Sequence, residues 1–448
     1  MDLKNKRVLV AGAGRSGVAA GRLLRSEGEY VTLQDVKEEA KLGSTAELGA
    51  GGFELYLGRN PDEIVHNFEM VVLSPGIAID TPFVKAAKRL GIPVIAEIEL
   101  AFAFATCPIT AITGTNGKTT TTSLVTEIMR RRYSTAVVGN IGIAFSEHVK
   151  GLGEGDWIVA EVSSFQLESI DKFRPKISAV LNISPDHLNR HKTMETYIAT
   201  KERIFANQQD TDFLILNHDD TVCREMAGRS AAKVVWFSRL QELPEGIFRD
   251  GDKIVARAHD DRQEVIRISD MQIIGDHNVE NAMASTAMCL AAGIPIEDIA
   301  AGIRSFKGVE HRLEFVKRLR GVDYFNDSKA TNVDSAVKSL EAMSKPVVLI
   351  CGGSDKGADF EGLVGMFAGR VKHSVVIGEV SSKICEVLRA HSITDYTRAS
   401  TMGEAVAIAS GKAGTGDVVL LSPACASFDM FDNFEQRGRE FKKFVKAL

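Results

Sequence analysis

A short apolar run that breaks into a glycine loop constrains this chain more than any other stretch. Residues 109–113 predict a buried strand, residues 114–117 a loop, and the segment from Lys118 onward a helix. Backbone N–H groups of such a loop face a bound phosphate, while Lys118 adds positive charge and Thr119 can bind Mg²⁺. The usual pattern has a further glycine where this chain carries Ile112. The sequence therefore predicts a shortened variant of a nucleoside-triphosphate loop.

Composition bounds the size and the class of the protein. A chain of 448 residues, of which 44% are hydrophobic, is too long for one compact core, so we expect three domains over 1–96, 97–306 and 307–448. The net charge of −5 argues against a nucleic-acid partner or an anionic-membrane surface, since both favour basic proteins. Any binding of phosphate must therefore depend on a few residues at one site and not on a basic surface.

Targeting and redox features are also informative. The first residues lead directly into a strand, and the apolar runs stay shorter than the roughly eighteen residues of a membrane span. The six cysteines are scattered without a close pair, which favours buried thiols over a disulfide framework or a zinc site. We therefore expect a soluble, cytosolic protein without membrane insertion. A monomer is expected as well.

Glycines near the N-terminus predict a nucleotide-binding fold. Residues 7–11 predict a strand, and Gly12, Gly14 and Gly17 lead from it into a helix. Asp35 ends a second predicted strand, about twenty residues beyond the glycines. This spacing is typical of an NAD-type oxidoreductase, and also of a Rossmann-like domain that holds another nucleotide.

Strands alternate with helices along the rest of the chain, which predicts further α/β sheets. In the central domain we predict strands at 109–113, 135–138, 157–161, 179–183, 213–217 and 234–237, antiparallel strands within 246–274, and a helix over 278–292. Strands of the third domain are predicted at 347–350, 375–377 and 418–421. Pro93 and the Ala/Phe-rich segment 101–105 are expected to mark the passage from the first domain to the second. The predicted fold class is α/β in three domains: a Rossmann-like N-terminal domain, a central P-loop ATPase-type sheet with extra antiparallel strands, and a Rossmann-like C-terminal domain.

Two residues beyond the glycine loop, Glu161 and His187, are candidate catalytic groups, and a third, Lys201, gives no such signal by itself. Glu161 ends an apolar strand, where its carboxylate either completes Mg²⁺ coordination with Thr119 or is an ordinary strand-end acid. His187 follows another apolar strand, where it is either a second metal ligand or a structural histidine. Lys201, taken alone, predicts an exposed lysine on a helix.

Six motifs, spaced over all three predicted domains, resemble in order the signatures of the Mur ligase family. They are residues 113–120 (TGTNGKTT), 161–164 (EVSS), 182–188 (NISPDHL), 275–281 (GDHNVEN), 311–312 (HR) and 326–332 (NDSKATN). Members of that family use the short loop that lacks the first glycine, so Ile112 fits the resemblance. Within the family, the stretch 421–438 resembles the members that add D-glutamate.

The resemblance implies an ATP-dependent amide ligase of peptidoglycan precursor synthesis. The carboxylate of UDP-N-acetylmuramoyl-L-alanine would attack the γ-phosphate of ATP, and the amine of D-glutamate would then displace phosphate from the acyl phosphate. A UDP-sugar, not NAD, would occupy the N-terminal domain. The alternatives are an alanine-adding or folylpolyglutamate-type ligase, an NAD-dependent oxidoreductase, and a non-enzymatic nucleotide-binding regulator. An oxidoreductase would leave the loop at 113–119 without a role.

The resemblance also implies roles for individual residues. Lys118, His187 and Lys201 are the implied catalytic residues. Two Mg²⁺ sites are implied, one on Thr119 and Glu161, the other on His187 and a carbamylated Lys201. ATP contacts are implied for Gly114, Thr115, Asn116, Gly117, Lys118, Thr119, Thr120, Asn278, Asn281, Arg312 and Asp327. The implied UDP-sugar residues are Arg15, Ser16, Asp35, Ser74, Gly76, Asn140 and Ser163, and those for D-glutamate are Lys329, Thr331, Lys356, Ser427 and Phe434.

Overall fold

The computed structural model describes residues 5–39, 42, 52–141, 143–259, 261–355 and 357–448. It divides into two compact units. The first extends to Asp270 and includes Glu280–Ser305, and the second consists of Met271–Val279 and Phe306–Leu448. Three separate sheets lie within these units, which confirms the predicted three-part α/β architecture. The domain boundaries after residues 96 and 306 stay predictions.

Five parallel strands form the first sheet, in the order β3-β2-β1-β4-β5. They are β1 (Arg7–Ala11), β2 (Tyr30–Asp35), β3 (Glu54–Leu57), β4 (Met70–Leu73) and β5 (Val94–Ala96). The helices of this region are Arg15–Ser26 and Pro82–Arg89, with 3₁₀ turns at Pro61–Glu63 and Val65–Asn67. Alternate residues of β1 belong to two different apolar clusters, so this strand is buried on both faces, as is usual in a parallel sheet.

Nine strands form the second sheet, in the order β14-β13-β12-β11-β10-β9-β6-β8-β7. They are β6 (Ile109–Thr113), β7 (Thr135–Gly139), β8 (Trp157–Glu161), β9 (Ile177–Val180), β10 (Phe213–Asn217), β11 (Lys233–Ser238), β12 (Gly246–Asp250), β13 (Lys253–Ala258) and β14 (Asp261–Arg267). Neighbours from β7 to β12 pair in parallel. The pairs β12–β13 and β13–β14 are antiparallel, which confirms the prediction for 246–274.

Helices accompany this second sheet along the sequence. They are Glu97–Phe104, Lys118–Met129, Phe145–His148, Ser164–Leu167, Leu188–His191, Met194–Glu202, Thr221–Ala227, Asp276–Ala291 and Ile296–Ser305, with 3₁₀ turns at Arg203–Phe205 and Ile268–Asp270. One apolar cluster contains side chains from β1, from the helix Glu97–Phe104 and from β6. The first two sheets therefore share a core. The segment 101–105, expected to be a passage between domains, belongs largely to a helix within that core.

Six strands form the third sheet, in the order β15-β16-β20-β17-β18-β19. They are β15 (Glu314–Leu319), β16 (Val322–Asn326), β17 (Val347–Gly352), β18 (Val371–Ile377), β19 (Tyr396–Arg398) and β20 (Val418–Leu421). Only the pair β15–β16 is antiparallel among the described pairings of this sheet. The helices are Val333–Glu341, Glu361–Val364, Ser381–Ala390, Met402–Lys412 and Phe434–Ala447.

Two further expectations can be compared with the fold. All six cysteines are among the described residues, and each is buried and outside any disulfide, as predicted. In the described part of the chain, no helix is both long enough and apolar enough to cross a bilayer.

Glu99 provides a test of how the helix Glu97–Phe104 is anchored. Its carboxylate is 3% exposed and accepts the backbone N–H groups of residues 171–173 at 2.8–2.9 Å. Alanine would leave three donors without this acceptor, so we expect Glu99→Ala to lower the free energy of unfolding by about 3 kcal/mol or more. The control Glu127→Ala, on an exposed helical position, should stay within about 0.5 kcal/mol of wild type. Urea denaturation measures both, and equal midpoints would contradict this role of Glu99.

Candidate active site

The glycine loop begins where β6 ends. Gly114 and Gly117 have φ values of +149° and +83°, and Gly117 caps the helix that starts at Lys118. These backbone angles favour glycine because other residues would be strained. A Cβ atom on Gly117 would also collide with Oδ1 of Asn281. The loop therefore takes its shape from glycine, as the sequence pattern predicts.

A second loop, which follows β9, holds the glycine loop in place. Oδ1 of Asn182 accepts the backbone N–H of Asn116 at 2.8 Å, and Nδ2 of Asn182 donates to Asn116 O at 3.2 Å. Oγ1 of Thr115 accepts the backbone N–H of Ser184 at 3.0 Å. The predicted motifs at 113–120 and 182–188 are thus in direct contact.

Two lysines meet at the carbonyl of Gly114. Nζ of Lys118 donates to Gly114 O at 2.9 Å and to Thr115 O at 2.8 Å. Nζ of Lys201 donates to the same Gly114 O at 2.8 Å and to Oγ1 of Thr113 at 3.2 Å. Lys201 is 2% exposed, so the prediction of an exposed helix lysine, made from this residue alone, is wrong.

Burial lowers the pKa of Lys201. Desolvation first, and the nearby charge of Lys118 second, hold the pKa of Lys201 well below its ordinary value, while Asp186 and Glu161 raise it by smaller amounts. A lowered pKa favours the unprotonated amine, which is the nucleophilic form of a lysine. Lys201 is therefore suited to chemistry that a surface lysine cannot perform.

Glu161 ends β8, beside β6 in the sheet. Its side chain is 1% exposed, and Oε1 accepts a hydrogen bond from Nδ2 of Asn140 at 2.8 Å. Oε2 is buried and has no hydrogen-bond partner among the residues that the structure describes. A buried carboxylate oxygen in that condition is unfavourable unless a cation or a donor completes it. Glu161 thus fits the role of a metal ligand, with the Thr119 hydroxyl as a second oxygen donor in the first turn of the helix Lys118–Met129.

His187 lies on the loop that follows β9. It has a left-handed backbone with φ of +52°, and its side chain is half exposed. Its ring centroid lies 4.9 Å from that of Phe165, and Nε2 is 3.5 Å from Oδ2 of Asp186. An accessible imidazole beside a carboxylate is a suitable ligand for a divalent metal.

The predicted nucleotide site of the first sheet is built around its glycines. Asp35 ends β2, and its Oδ2 accepts the backbone N–H of Ala13 at 2.9 Å. Oγ of Ser74, just after β4, donates to Gly12 O at 3.1 Å. A Cβ atom on Gly17 would collide with Gly12 O, so this helix can approach the loop only with glycine there.

The remaining residues predicted for the UDP-sugar flank these two sites. Arg15 and Ser16 begin the helix Arg15–Ser26 beside the first glycine loop, and Gly76 lies in the turn after β4. Asn140 donates from its backbone N–H to Glu161 O at 2.9 Å. Ser163 is the N-cap of the helix Ser164–Leu167 and accepts the N–H of Gln166 at 3.3 Å. Asn140 and Ser163 therefore lie beside Glu161, on the loops after β7 and β8.

Two asparagines predicted for the adenine side lie on the helix Asp276–Ala291. Oδ1 of Asn281 accepts a hydrogen bond from Oγ1 of Thr121 at 3.1 Å, next to the glycine loop. Nδ2 of Asn278 donates to Ile274 O at 2.7 Å. Asn281 thus contacts the helix that follows the glycine loop.

Arg312 and Asp327, predicted for ATP, are near each other beside the third sheet. Asp327 is buried, and its Oδ1 accepts the backbone N–H of Leu313, the residue after Arg312, at 3.1 Å. Oδ2 accepts the hydroxyls of Ser422, at 3.0 Å, and of Ser339. Burial raises the pKa of Asp327 to about 6, although the hydrogen bonds from Ser339, Leu313 and Ser422 oppose this shift.

The predicted D-glutamate residues lie on two loops beside the third sheet. Nζ of Lys329 lies 3.8 Å above the ring of Phe434, and Thr331 donates its backbone N–H to Lys329 O at 2.8 Å. Ser427 is buried on the loop that follows β20. The predicted residue Lys356 lies outside the described residues.

Sequence reasoning missed three residues that shape these sites. Asn182 was within a predicted motif but had no assigned role. Tyr197 is buried with its hydroxyl 3.1 Å from Oγ1 of Thr115, and burial raises its pKa to about 12. Arg437 is 1% exposed and donates to Ser328 O at 2.8 Å, to Cys425 O at 3.0 Å and to Ala426 O at 3.1 Å. Its position within the Glu-Gln-Arg-Gly end of the 421–438 stretch was the available sequence signal.

Comparison with protein families gives a match for each of the three sheets. The matching models are "Mur ligase MurD-like, N-terminal domain" over residues 6–96, "Mur ligase middle domain" over residues 112–289 and "Mur ligase, glutamate ligase domain" over residues 311–425.

Curated relatives are similar over the entire length. A protein of Alkaliphilus metalliredigens (strain QYMF) is 48% identical over 452 residues, which is 100% of this chain and 99% of that protein. A protein of Pelotomaculum thermopropionicum is 47% identical over 449 residues, with the same two coverages. Both bear the name UDP-N-acetylmuramoylalanine--D-glutamate ligase.

Solved structures share the fold at low sequence identity. UDP-N-acetylmuramate-alanine ligase MurC from Thermotoga maritima aligns with a TM-score of 0.62 and 18% identity, over 99% of each chain. MurF ligase from Thermotoga maritima, solved in complex with ADP, aligns with a TM-score of 0.61 and 14% identity, over 100% of this chain and 96% of that one. At such identities the likeness shows the fold alone.

Gly117→Ala tests the shape of the glycine loop. Both the positive φ and the collision with Asn281 oppose an alanine, and the backbone strain alone amounts to about 1–2 kcal/mol. We therefore expect the dissociation constant for ATP to rise about tenfold or more. Gly155→Ala is the control, because a Cβ atom there meets nothing within 4 Å. Calorimetric titration with ATP measures both, and an unchanged affinity in Gly117→Ala would be the contrary result.

Proposed function

Because the chain belongs to the Mur ligase family, we propose that it joins D-glutamate to UDP-N-acetylmuramoyl-L-alanine with ATP, releasing ADP and phosphate. The choice of substrates is supported by the relatives that share nearly half of its residues and bear that activity in their names. The product is a precursor of peptidoglycan, and the enzyme acts in the cytoplasm as a monomer.

One observation supports ligase chemistry above all: Lys118, Lys201 and Glu161 are gathered around the Gly114 loop. The acceptor carboxylate and the γ-phosphate are both anions, so their approach requires nearby positive charge. Lys118, on the first turn of a helix, supplies one such charge at the phosphate position.

Metal ions complete the charge balance in this proposal. The orphaned Oε2 of Glu161 and the hydroxyl of Thr119 are oxygen donors that fit Mg²⁺. His187 and a carbamylated Lys201 hold a second ion. When bound, the two ions offset negative charge on the phosphate and acceptor oxygens.

Lys201 becomes a metal ligand by a balanced reaction. The unprotonated form of its amine attacks CO₂: a nitrogen–carbon bond forms while one carbon–oxygen π bond opens, and one proton leaves nitrogen, so the side chain becomes an anionic carbamate. Burial supports this step because it lowers the pKa of Lys201 and so favours the unprotonated amine that reacts. The pocket beside Gly114 thereby gains an anion.

The reaction then runs in two steps. An oxygen of the L-alanyl carboxylate bonds to the γ-phosphorus while the bond from phosphorus to the ADP oxygen breaks. The unprotonated amine of D-glutamate next attacks the carbonyl carbon of the acyl phosphate, the bond from that carbon to the phosphate oxygen breaks, and inorganic phosphate and one amine proton leave. Lys118 contacts the transferring phosphoryl group, while Asn140 and Ser163, beside Glu161, orient the acceptor.

The remaining site residues hold the three substrates. The UDP-sugar is bound by Arg15, Ser16, Asp35, Ser74, Gly76, Asn140 and Ser163. ATP is bound by Gly114, Thr115, Asn116, Gly117, Lys118, Thr119, Thr120, Asn278, Asn281, Arg312 and Asp327. D-Glutamate is bound by Lys329, Thr331, Lys356, Ser427 and Phe434, where cationic and hydroxyl groups suit its carboxylates.

Phosphate release tests the proposal directly. With ATP, Mg²⁺ and UDP-N-acetylmuramoyl-L-alanine, we expect the purified chain to release phosphate only when D-glutamate is added. L-Glutamate is the stereochemical control. UDP-N-acetylmuramate with L-alanine tests the alanine-adding alternative, and a folate with L-glutamate tests the folylpolyglutamate alternative. Release that does not depend on D-glutamate would overturn the proposal.

Lys201→Ala tests the carbamate. Loss of a metal-holding anion should lower kcat by about 100-fold or more, and added formate or acetate should restore part of the activity. Lys172→Ala, an exposed lysine of the same domain, is the matched control and should act as wild type.

Carbamylation also has a direct readout. With ¹³C-labelled bicarbonate, wild type should show a carbamate carbon resonance that Lys201→Ala lacks. Full activity in Lys201→Ala, or no labelled signal in wild type, would refute the carbamate.

A further inference from the structure

Arg190 connects the loop that follows β9 with the turn that follows β4. It lies three residues beyond His187, on the helix Leu188–His191. Its Nη2 donates to Ile77 O at 2.9 Å, and Nη1 lies 3.5 Å from Gly76 O. Arg190, which follows a strand of the second sheet, therefore donates hydrogen bonds to backbone carbonyls that follow a strand of the first sheet.

The other side of the same guanidinium is held by Glu168. Nε of Arg190 donates to Oε1 at 2.9 Å and Nη2 to Oε2 at 2.6 Å, a forked pair in which the two side chains are 17% and 9% exposed. A partly buried bidentate pair of this kind fixes the guanidinium plane more firmly than a single contact would. The direction in which Arg190 reaches Gly76 and Ile77 is thus set by Glu168.

Phe165 extends this contact to the proposed catalytic histidine. The guanidinium carbon of Arg190 lies 4.4 Å from the centroid of the Phe165 ring, and the His187 ring lies 4.9 Å from the same centroid. Arg190 and His187 therefore both pack on one aromatic ring. Phe165 is on the short helix that begins one residue after Ser163.

The turn that Arg190 holds is next to the first glycine loop. Ser74, two residues before Gly76, donates its hydroxyl to Gly12 O at 3.1 Å. A shift in the position of the Gly76 and Ile77 carbonyls would therefore also move Ser74 and, through its hydrogen bond to Gly12 O, the glycine loop. The same side chain contacts the His187 loop and the proposed UDP-sugar turn.

We propose that Arg190 is a positioning residue that aligns the UDP-sugar turn at residues 74–77 with the His187 loop, and so places the acceptor carboxylate for phosphoryl transfer. This inference rests on the proposed function. Arg190 touches neither phosphate nor the reacting carboxylate in this role. It acts through Gly76, Ile77 and Phe165.

Two substitutions test the role. Arg190→Lys keeps the positive charge but cannot form the two parallel hydrogen bonds to Glu168. Arg190→Gln keeps a single NH₂ group as donor and loses the charge. In both we expect the dissociation constant for UDP-N-acetylmuramoyl-L-alanine, measured by calorimetry without ATP, to rise about tenfold or more. The KM for that substrate should rise in parallel, while the KM for ATP and for D-glutamate stays within about twofold.

Two further variants separate positioning from stability. Arg174→Lys is the matched control: Arg174 forms a 2.7 Å pair with Asp212 in the same sheet region, and it should leave every KM unchanged. Glu168→Gln should weaken UDP-sugar binding in the same direction as the Arg190 variants, since its partner in the forked pair is Arg190. Thermal midpoints of all variants are recorded.

Each outcome has one meaning. Unchanged UDP-sugar affinity in both Arg190 variants would overturn the inference, and so would an equal rise in all three KM values with a lower thermal midpoint. A further variant, Arg190→Ala, removes the guanidinium, and partial recovery of its UDP-sugar affinity by added guanidinium ion would support the inference. Wild type that releases no phosphate with D-glutamate would overturn the proposed function instead, because the binding comparison uses no ATP and no D-glutamate.

Discussion

Two lysine side chains share one backbone oxygen, and the proposed chemistry of the site depends on that arrangement. Nζ of Lys118 and Nζ of Lys201 both lie within 2.9 Å of Gly114 O. Two ammonium groups so close together repel each other strongly where water is excluded. Burial, reinforced by the charge of Lys118, resolves the conflict by lowering the pKa of Lys201. Lys118 and Lys201 thus differ in environment, and burial favours the unprotonated form of the Lys201 amine.

In the proposed chemistry, carbamate formation on Lys201 is linked to metal binding. If Lys201 takes up CO₂, an anion forms near Glu161, whose Oε2 is already buried without a partner among the described residues. Two buried anions are unfavourable unless cations accompany them. Metal ions favour the carbamate, and the carbamate favours metal ions, so each equilibrium strengthens the other. The final complex is therefore the same whether CO₂ or the metal ions bind first.

Sequence patterns predict the parts of the fold that local chemistry determines. β17 and β20 are short apolar runs, buried on both faces, and the sequence identifies them. β15 carries charged residues at partly exposed positions, and only its pairing with β16 makes it a strand. The burial of Lys201 is a tertiary effect as well, because Gly114 O is 87 residues away along the chain. The glycine loops were predictable, since positive φ restricts the residue type.

Arginines that bind backbone oxygens are the part of the site that sequence reasoning could not assign. Arg437 donates to carbonyls of Ser328, Cys425 and Ala426, and Arg190 to that of Ile77. Every residue has a carbonyl, so the partners of such an arginine leave no mark in the sequence. The planar guanidinium can nevertheless serve several acceptors at once, which suits it to fix one loop against another. Motifs therefore locate the reacting groups, while the distances between those groups depend on side chains whose partners only the folded backbone reveals.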